Sequence, residues 1–187
     1  MYFFPAKATY GFRVSGANIY RPSAPEADSD GYVKYSKHFG RTLKDRDSIK
    51  KALETLFTQG GGKGGEGKKG KKSEDRSQRI KARHHTGNIR NRVIMEFRWQ
   101  LKKLVTWFKD NDVFTFYSSS ILFVYEGDEM SDSFDNCRLR AIDFAHVVER
   151  EERGRDDGYL DGLYTILRLL EDILQQQEKM GKLREDL

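Results

Sequence analysis

The sequence predicts an α+β fold in which antiparallel strands pack on long helices and a polar insert interrupts the chain. Three observations lead to this prediction. Apolar residues recur every three or four positions over 89–109 and 159–174, which is the pattern of amphipathic helices. The segments 113–125 and 138–144 are dense in β-forming residues. Residues 60–72 contain no apolar side chain, so they have nothing to bury.

Length and composition limit the kind of protein this is. A chain of 187 residues is near the size of one domain, and we predict a single domain over 1–187. Aromatic residues make up 12% of it, too many for a fully disordered chain. No apolar run approaches the roughly 20 residues of a membrane helix, so no membrane association is expected. The single cysteine, Cys137, excludes an internal disulfide framework and favours the nucleus or cytoplasm.

The positive charge is concentrated in one insert, residues 60–92. This segment holds 11 of the 34 Lys and Arg residues but 3 of the 29 acidic ones, so the rest of the chain carries a net charge of −3. It also holds 8 of the 17 glycines, and we predict a disordered Gly/Lys-rich insert. It is either a solvated linker or a basic patch for nuclear targeting or nucleic-acid phosphates. Nucleic acid is the less favoured partner, since no aromatic residue between Lys63 and His85 offers a base-stacking platform.

The first half of the chain is predicted to form two short strands and one helix. Residues 10–20 alternate in polarity, which predicts a strand, and a loop over 22–30 leads to a second strand over 32–35. Asp47 or Ser48 is the predicted cap of a helix that runs to about Phe57. The side chains expected to face the core are Phe12, Val14, Ile19, Ile49, Leu53, Leu56 and Phe57.

The second half is predicted to form two helices around a strand pair. The helix over 89–109 ends at the polar run 110–112, and a continuous strand follows over 113–125. A polar loop over 126–136 leads to a strand over 138–144, with Leu139 and Ala141 on one side. A charged loop over 149–157 precedes the helix 159–174. The polar tail from Gln175 is expected to fray.

Asp143 is the main candidate for metal chemistry. It lies at the end of an apolar strand between Ile142 and Phe144, where a buried carboxylate is costly unless it pairs or binds a cation. One carboxylate together with nucleotide phosphates is a common way to hold Mg²⁺. The alternative is a carboxylate that accepts a hydrogen bond from a nearby backbone N–H.

Three consecutive serines, Ser118, Ser119 and Ser120, form a second candidate site. Hydroxyls within an apolar strand must each find a partner, and phosphate oxygens or metal-bound water would serve. The alternative is that these are ordinary strand serines that face solvent. Because only a short loop separates the two strands, Ser120 and Asp143 are expected to meet at one site.

Three further residues are candidates for contact with an anionic substrate. His146, three residues after Asp143, can serve as a donor or partial cation to a phosphate, or can be an ordinary surface histidine. Lys37 and Arg41 flank Gly40 and either hold an anion or form a charged turn.

Four segments together resemble the inositol polyphosphate kinase family. Gly-Phe-Arg-Val-Ser-Gly at 11–16 is similar to the family's Gly-Phe-Arg-Ile-x-Gly, and Lys-His-Phe-Gly-Arg-Thr-Leu at 37–43 is similar to its Lys-x-x-Gly-Arg-x-Leu. Ser-Ser-Ile-Leu at 119–122 resembles its Ser-Ser-Leu-Leu box. Ile-Asp-Phe-Ala-His at 142–146, followed by Asp-Gly-Tyr-Leu-Asp-Gly-Leu at 157–163, resembles its Ile-Asp-Phe box and the helix start after it. The last two segments, at this spacing, are the more specific.

The resemblance implies a fold, an activity and roles for individual residues. The fold is a protein-kinase and ATP-grasp-like one, and the activity is transfer of the ATP γ-phosphoryl group to a hydroxyl or phosphate of an inositol polyphosphate. By the resemblance, Asp143 holds Mg²⁺ and contacts ATP, and His146 faces the substrate. Ser119 and Ser120 approach the nucleotide and metal, with Ser120 the preferred contact. Lys37 and Arg41 are the other predicted substrate contacts.

One family motif has no counterpart here. The signature Pro-x-x-x-Asp-x-Lys-x-Gly, which supplies a catalytic aspartate and a lysine, is not found upstream of Gly11. We therefore expect the C-terminal lobe of a multikinase-like or hexakisphosphate-kinase-like protein, and assign no catalytic residue. The alternative is a non-catalytic remnant that binds inositol phosphates or a protein.

Overall fold

The computed structural model describes residues 10–58, 89–127 and 136–185, with side chains as far as Lys182. The predicted α+β class, with antiparallel strands and long helices, is confirmed. Three antiparallel pairs form, β1 with β2, β3 with β6 and β4 with β5. The elements in chain order are β1 (Ala17–Tyr20), β2 (Tyr32–Tyr35), α1 (Lys37–Thr42), α2 (Arg46–Phe57), α3 (Asn91–Asp110), β3 (Phe114–Phe116), β4 (Ser120–Val124), β5 (Arg138–Ile142), β6 (Val147–Glu149) and α4 (Asp157–Glu185).

The core lies between α3, α4 and the strands, on the helix faces that the periodicity predicts. Phe97 and Leu101 of α3 and Leu163 and Ile173 of α4 are fully buried. Burial of each such side chain contributes about 1.5–3 kcal/mol. At the rim, Arg98 Nε lies 2.8 Å from Glu171 Oε1 and joins the two helices. Among the described residues, no helix is both long and apolar enough to cross a membrane.

The predicted strand over 10–20 is much shorter, because glycines interrupt it. Only Ala17–Tyr20 forms a strand, although Phe12 and Val14 are buried as expected. Gly11 has φ of 68°, a left-handed conformation outside the β region. A Cβ on Gly11 would lie 2.5 Å from the backbone N of Gly162, so the segment packs directly on the first turns of α4.

The cap of α2 lies two or three residues before the predicted one. Asp45 is the N-cap, and its carboxylate accepts the Ser48 N–H at 2.7 Å. The Ser48 Oγ accepts the Asp45 N–H at 3.2 Å in return, which completes a capping box. The hydrogen bonds from Ser48 hold the pKa of Asp45 below its usual value. The sequence pattern identified Ser48 correctly as a capping residue but placed it at the wrong position of the cap.

The charged turn considered around Gly40 is a short helix, α1. Ser36 is its N-cap and accepts the His38 N–H at 3.3 Å. Gly40 is buried, and a Cβ at this position would lie 1.5 Å from the carbonyl oxygen of Val14. The backbone of α1 therefore rests directly on the segment that follows Gly11.

Arg21 is a buried residue that no pattern in the sequence marks. Its side chain is 3% exposed, and its Nη2 donates to the carbonyl oxygens of Thr55 and Thr58, the latter at 3.0 Å. These carbonyls belong to the end of α2, where a cation also opposes the negative end of the helix dipole. Arg21 thus joins the β1–β2 hairpin to α2.

Replacing Arg21 with Met is expected to lower the free energy of unfolding by about 2 kcal/mol, because two carbonyl oxygens lose a charged donor. Urea unfolding measures the change. Arg46→Met is the matched control, since Arg46 makes an exposed ion pair with Asp172 and such pairs contribute less than about 1 kcal/mol. Equal losses in the two variants would contradict the role assigned to Arg21.

The predicted disordered insert over 60–92 ends earlier than expected. Thr58 and Ile89 form an antiparallel bridge, and the Arg90 N–H donates to the Phe57 carbonyl at 2.9 Å. Asn91 is the first residue of α3, so residues 89–92 belong to the folded body. Residues 60–88 of the predicted insert, with any contact to nucleic acid, lie outside the described residues.

Three boundaries in the second half also differ. The continuous strand predicted over 113–125 is divided into β3 and β4, and the charged loop predicted from residue 149 is preceded by β6. The tail that was expected to fray continues α4 to Glu185. Residues 175–185 are rich in Gln, Glu, Lys, Met and Arg, whose helix propensity is high, which accounts for the extension.

Candidate functional site

The candidate site is an interruption in the antiparallel pairing of two chain segments, 114–124 and 138–149. We call the unpaired residues 117–119 and 143–146 the break, and each of these two stretches one arm of it. In β4–β5, Ser120 lies opposite Ile142, and in β3–β6, Phe116 lies opposite Val147. Residues 117–119 therefore face residues 143–146, three residues against four. One extra residue on one arm is the defining feature of a β-bulge, and bulges are over-represented beside active sites. All the strand residues predicted for the site lie in this break or at its edge.

Backbone conformation marks the same break. Ser118 has φ of 58° and Asp143 has φ of 65°, and they are the non-glycine residues with positive φ in the described part of the chain. Such conformations cost roughly 1–2 kcal/mol for an L-residue, and Asp tolerates them better than most. One strained residue on each arm turns the chain away from the ladder, which explains why a continuous strand was a wrong prediction here.

Two of the three candidate serines, Ser119 and Ser120, are buried, which argues against the solvent-facing alternative for them, whereas Ser118 is half-buried. Ser119 is 0% exposed and Ser120 is 2% exposed. The Ser119 hydroxyl has no hydrogen-bond partner among the described residues. A buried hydroxyl without a partner is costly in a folded protein, so it indicates a group whose partner is a ligand or water.

Asp143 is exposed, and the expectation that it is a buried acid is wrong. The strand predicted over 138–144 ends at Ile142, and the φ of Asp143 turns the residue out of the apolar face. Asp143 directly follows the residue opposite Ser120, so the backbone brings the two candidates to one place, as expected. No hydrogen bond or ion pair engages the Asp143 carboxylate among residues 10–58, 89–127 and 136–185.

His146 closes the far end of the break. Its carbonyl oxygen accepts the Tyr117 N–H at 3.0 Å, while its side chain is exposed. The Val147 N–H donates to the Phe144 carbonyl at 3.3 Å, which forms the turn that carries His146 beside Asp143. An exposed imidazole on this turn is accessible to a ligand at the break.

Lys37 and Arg41 lie elsewhere, on α1. Both are exposed, and their four-residue spacing places them on one face of that helix. In the part of the chain that the structure describes, no hydrogen bond or ion pair joins them to Asp143 or His146. The backbone therefore groups Ser119, Ser120, Asp143 and His146, and among the described residues no hydrogen bond or ion pair connects Lys37 or Arg41 to this group.

Asp156 is a residue near the break that the sequence reading missed. It is 6% exposed, and its Oδ2 accepts the Phe116 N–H at 2.7 Å. An Asp-Asp-Gly run before an apolar helix is a typical capping signal, and it marks this position. Tyr159 lies nearby, and its pKa is raised mainly by its own burial and to a smaller extent by the negative charge of Asp156. Its phenol therefore stays protonated.

A shallow groove of about 480 Å³ lies between α3 and β5, separate from the break. Trp99 and Trp107 line it, and Lys103 Nζ lies 3.3 Å from the centre of the Trp99 ring. None of the predicted site residues lines this groove. The chemistry of the candidate site therefore depends on the open break rather than on an enclosed cavity.

Solved structures with a similar fold define the class. A solved inositol phosphate multikinase matches with a TM-score of 0.61 and 23% identity, over 87% of this chain and 62% of that one. The inositol phosphate multikinase of S. cerevisiae, in complex with ADP and Mn²⁺, matches with a TM-score of 0.59 and 20% identity, over 92% of this chain and 74% of that one. At these identities the likeness shows the fold, which is that of a kinase-like α+β lobe.

Sequence comparisons then give the family. The family model described as inositol polyphosphate kinase matches residues 5–171, and the chain belongs to the inositol polyphosphate kinase family. Inositol hexakisphosphate kinase 3 of Homo sapiens is 25% identical over an alignment 194 residues long. The alignment covers 89% of this chain and 40% of that protein. Inositol polyphosphate multikinase alpha of Arabidopsis thaliana is 32% identical over 83 residues, 43% of this chain and 29% of that protein. The chain thus spans well under half the length of these relatives.

Proposed function

We propose that this chain takes part in ATP-dependent phosphorylation of an inositol polyphosphate, at a hydroxyl or phosphate of the ring. The observation that carries the proposal is the break, in which Asp143, with an exposed side chain, directly follows the residue opposite the buried Ser120. Phosphoryl transfer requires mainly positioning and neutralisation of phosphate charge. A carboxylate free for a cation and a hydroxyl free for a phosphate are suited to this task.

The residues of the break fit a divalent metal held together with a nucleotide. Within the described residues, no three His, Cys, Asp or Glu side chains come together as a ready-made metal site. Mg²⁺ is commonly held by one or two carboxylates together with substrate phosphates, and Asp143 offers one carboxylate. When bound, the metal supplies charge neutralisation to the phosphates of ATP. Ser119 and Ser120 are assigned to the nucleotide, with the Ser119 hydroxyl as a donor.

His146, Lys37 and Arg41 are assigned to the inositol polyphosphate. This acceptor is densely anionic, so cationic and hydrogen-bonding groups around it favour binding. His146 stands on the same turn as Asp143, whereas Lys37 and Arg41 offer two cations on the exposed face of α1. Localisation in the nucleus or cytoplasm stays a prediction from the cysteine content.

The direct test is an assay of this chain with Mg²⁺, radiolabelled ATP and separate inositol tris-, tetrakis-, pentakis- and hexakisphosphates. We expect label transfer to at least one of them, and saturable binding of Mn·ADP measured by calorimetry. Binding of the inositol phosphates without transfer would favour the non-catalytic alternative. Absence of both transfer and nucleotide binding would contradict the proposal.

Ser119→Ala is expected to separate stability from nucleotide binding. The free energy of unfolding should be unchanged or rise by about 1 kcal/mol, because a buried hydroxyl without a partner is removed. The Kd of Mg·ATP should rise roughly tenfold, the effect of one lost hydrogen bond to a charged group. Urea unfolding and calorimetric titration measure the two effects. A loss of stability with unchanged Kd would show that the Ser119 hydroxyl is structural.

Lys37→Ala with Arg41→Ala is expected to raise the KM for the inositol polyphosphate by roughly tenfold or more, since two charge-assisted contacts are lost. The KM for ATP and the unfolding midpoint should change little, because both side chains are exposed. Lys44→Ala with Lys51→Ala removes the same charge from exposed positions nearby and serves as the control. An equal rise in KM in the control would show that the effect comes from the overall positive charge of this surface and not from contacts of Lys37 and Arg41 with the substrate.

A further inference from the structure

We propose that Asp156 is a positioning residue for the break: it holds the Tyr117–Ser119 arm in place from the start of α4. The proposal rests on the proposed function, because that arm carries a serine assigned to the nucleotide. Asp156 itself is buried and does not need to touch a ligand. It acts through the backbone of the arm.

The two oxygens of the Asp156 carboxylate bind two different elements. Oδ2 accepts the N–H of Phe116, the last residue of β3, at 2.7 Å. Oδ1 accepts the N–H of Tyr159, in the first turn of α4, at 3.1 Å. The Asp156 carbonyl also accepts the Leu160 N–H at 3.0 Å, so the residue begins the helix as its cap. One side chain thus ties the helix start to the strand end.

The bond to Phe116 fixes the point at which the arm leaves the ladder. Directly after it, the Tyr117 N–H donates to the His146 carbonyl at 3.0 Å, and Ser118 then takes its left-handed conformation. Two successive amides are therefore held by two different partners, one on α4 and one on the opposite arm. Without the Asp156 bond, the Phe116 amide would lose its acceptor and the strained turn would lose one of its two supports.

The helix end that carries Asp156 is itself well anchored. The Tyr159 ring stacks on Phe108 of α3, with centroids 4.2 Å apart, and lies 5.7 Å from the Phe116 ring. Gly162 packs against the backbone of Gly11 on the same part of α4. Asp156 therefore transmits the position of a rigid core element to the arm of the break.

The variants Asp156→Ser and Asp156→Asn test this role, because Ser and Asn both cap helices well. Each keeps an acceptor for the Tyr159 N–H. Ser is too short to accept from Phe116 as well, and Asn places an NH₂ group where one carboxylate oxygen was. Asp45→Asn, at the cap of α2, makes the same charge change at a helix start away from the break and is the control.

Two measurements decide the proposal, hydrogen exchange of the free protein and calorimetric titration with Mn·ADP. We expect amides 116–119 and 143–147 to exchange roughly tenfold or more faster in both Asp156 variants but not in Asp45→Asn. The Kd of Mn·ADP should rise roughly tenfold, and Asp156→Asn should leave the exchange of the α3 core amides unchanged. Asp156→Asn decides the matter if the serine variant does not fold.

Unchanged exchange at 116–119, or an equal rise over the whole chain, would overturn the positioning role. Faster exchange confined to the break with an unchanged Kd of Mn·ADP would also overturn it, since the arm would then not position the nucleotide. If the wild-type chain itself does not bind Mn·ADP, the proposed function fails. The exchange pattern still decides whether Asp156 holds the arm.

Discussion

Asp143→Asn is expected to lower phosphoryl transfer by roughly 100- to 1,000-fold, the effect of removing one preorganised charged group at a reacting centre. The Kd of Mn·ADP should rise in parallel, whereas the Kd of metal-free ADP should not. The fold should be unaffected, because the side chain is exposed and Asn, like Asp, tolerates a φ of 65°. Turnover of labelled inositol phosphate and calorimetry measure the three effects.

The control for this variant is Asp110→Asn, an exposed acid at the end of α3. It removes the same charge, so the long-range field changes equally while the break stays intact. A second variant, Asp143→Ala, tests the backbone strain at this position. Ala tolerates the left-handed conformation less well than Asp or Asn, so this variant should lose about 1 kcal/mol of stability. Unchanged turnover in Asp143→Asn would refute the metal assignment.

Gly40→Ala is expected to lower the free energy of unfolding by more than about 3 kcal/mol or to prevent folding. A Cβ at this position would lie 1.5 Å from the Val14 carbonyl oxygen, and neither atom can move by a side-chain rotation, since the backbone of residue 40 fixes the Cβ and the oxygen is a backbone atom. The substitution therefore forces α1 away from the segment 11–16, with the loss of packing around Phe39. Chemical unfolding followed by circular dichroism measures the loss.

Gly181→Ala is the matched control and should have the opposite sign. Gly181 lies within α4, and a Cβ there meets nothing within 4 Å. Since Ala is favoured over Gly in a helix by about 1 kcal/mol, this variant should be more stable than the wild type. A stable Gly40→Ala protein with α1 intact would show that the backbone at Val14 can move, and would contradict the rigid contact.

The parts of the fold that follow from local periodicity were predictable. The core faces of α2, α3 and α4 are set by side chains three or four residues apart, such as Phe97 and Leu101, and each is buried as expected. The meeting of Ser120 with Asp143 also followed, because a short loop between two strands leaves antiparallel pairing as the simple solution. In the first case the decisive side chains are three or four residues apart, and in the second the two paired strands are consecutive elements of the chain.

The features that were missed depend on partners distant in the chain. Arg21 is defined by carbonyls 34 and 37 residues away, and Asp156 by an amide 40 residues away, so no local pattern identifies either contact. The division of 113–125 into two strands depends on the extra residue in the opposite arm. The exposure of Asp143 follows from that same division, since a continuous ladder would have kept the residue on its apolar face.

The bridge between Thr58 and Ile89 has a consequence for how this family member tolerates change in length. The two residues lie directly opposite each other in this isolated bridge, so the residues that flank the 30-residue stretch 59–88 are neighbours in space. The entropy of closing a flexible loop grows only with the logarithm of its length, and a 30-residue loop costs just about 2 kcal/mol more to close than a four-residue one. Insertions and deletions between Thr58 and Ile89 are therefore expected to change the free energy of folding by little, because that free energy depends only weakly on the number of residues that the bridge encloses.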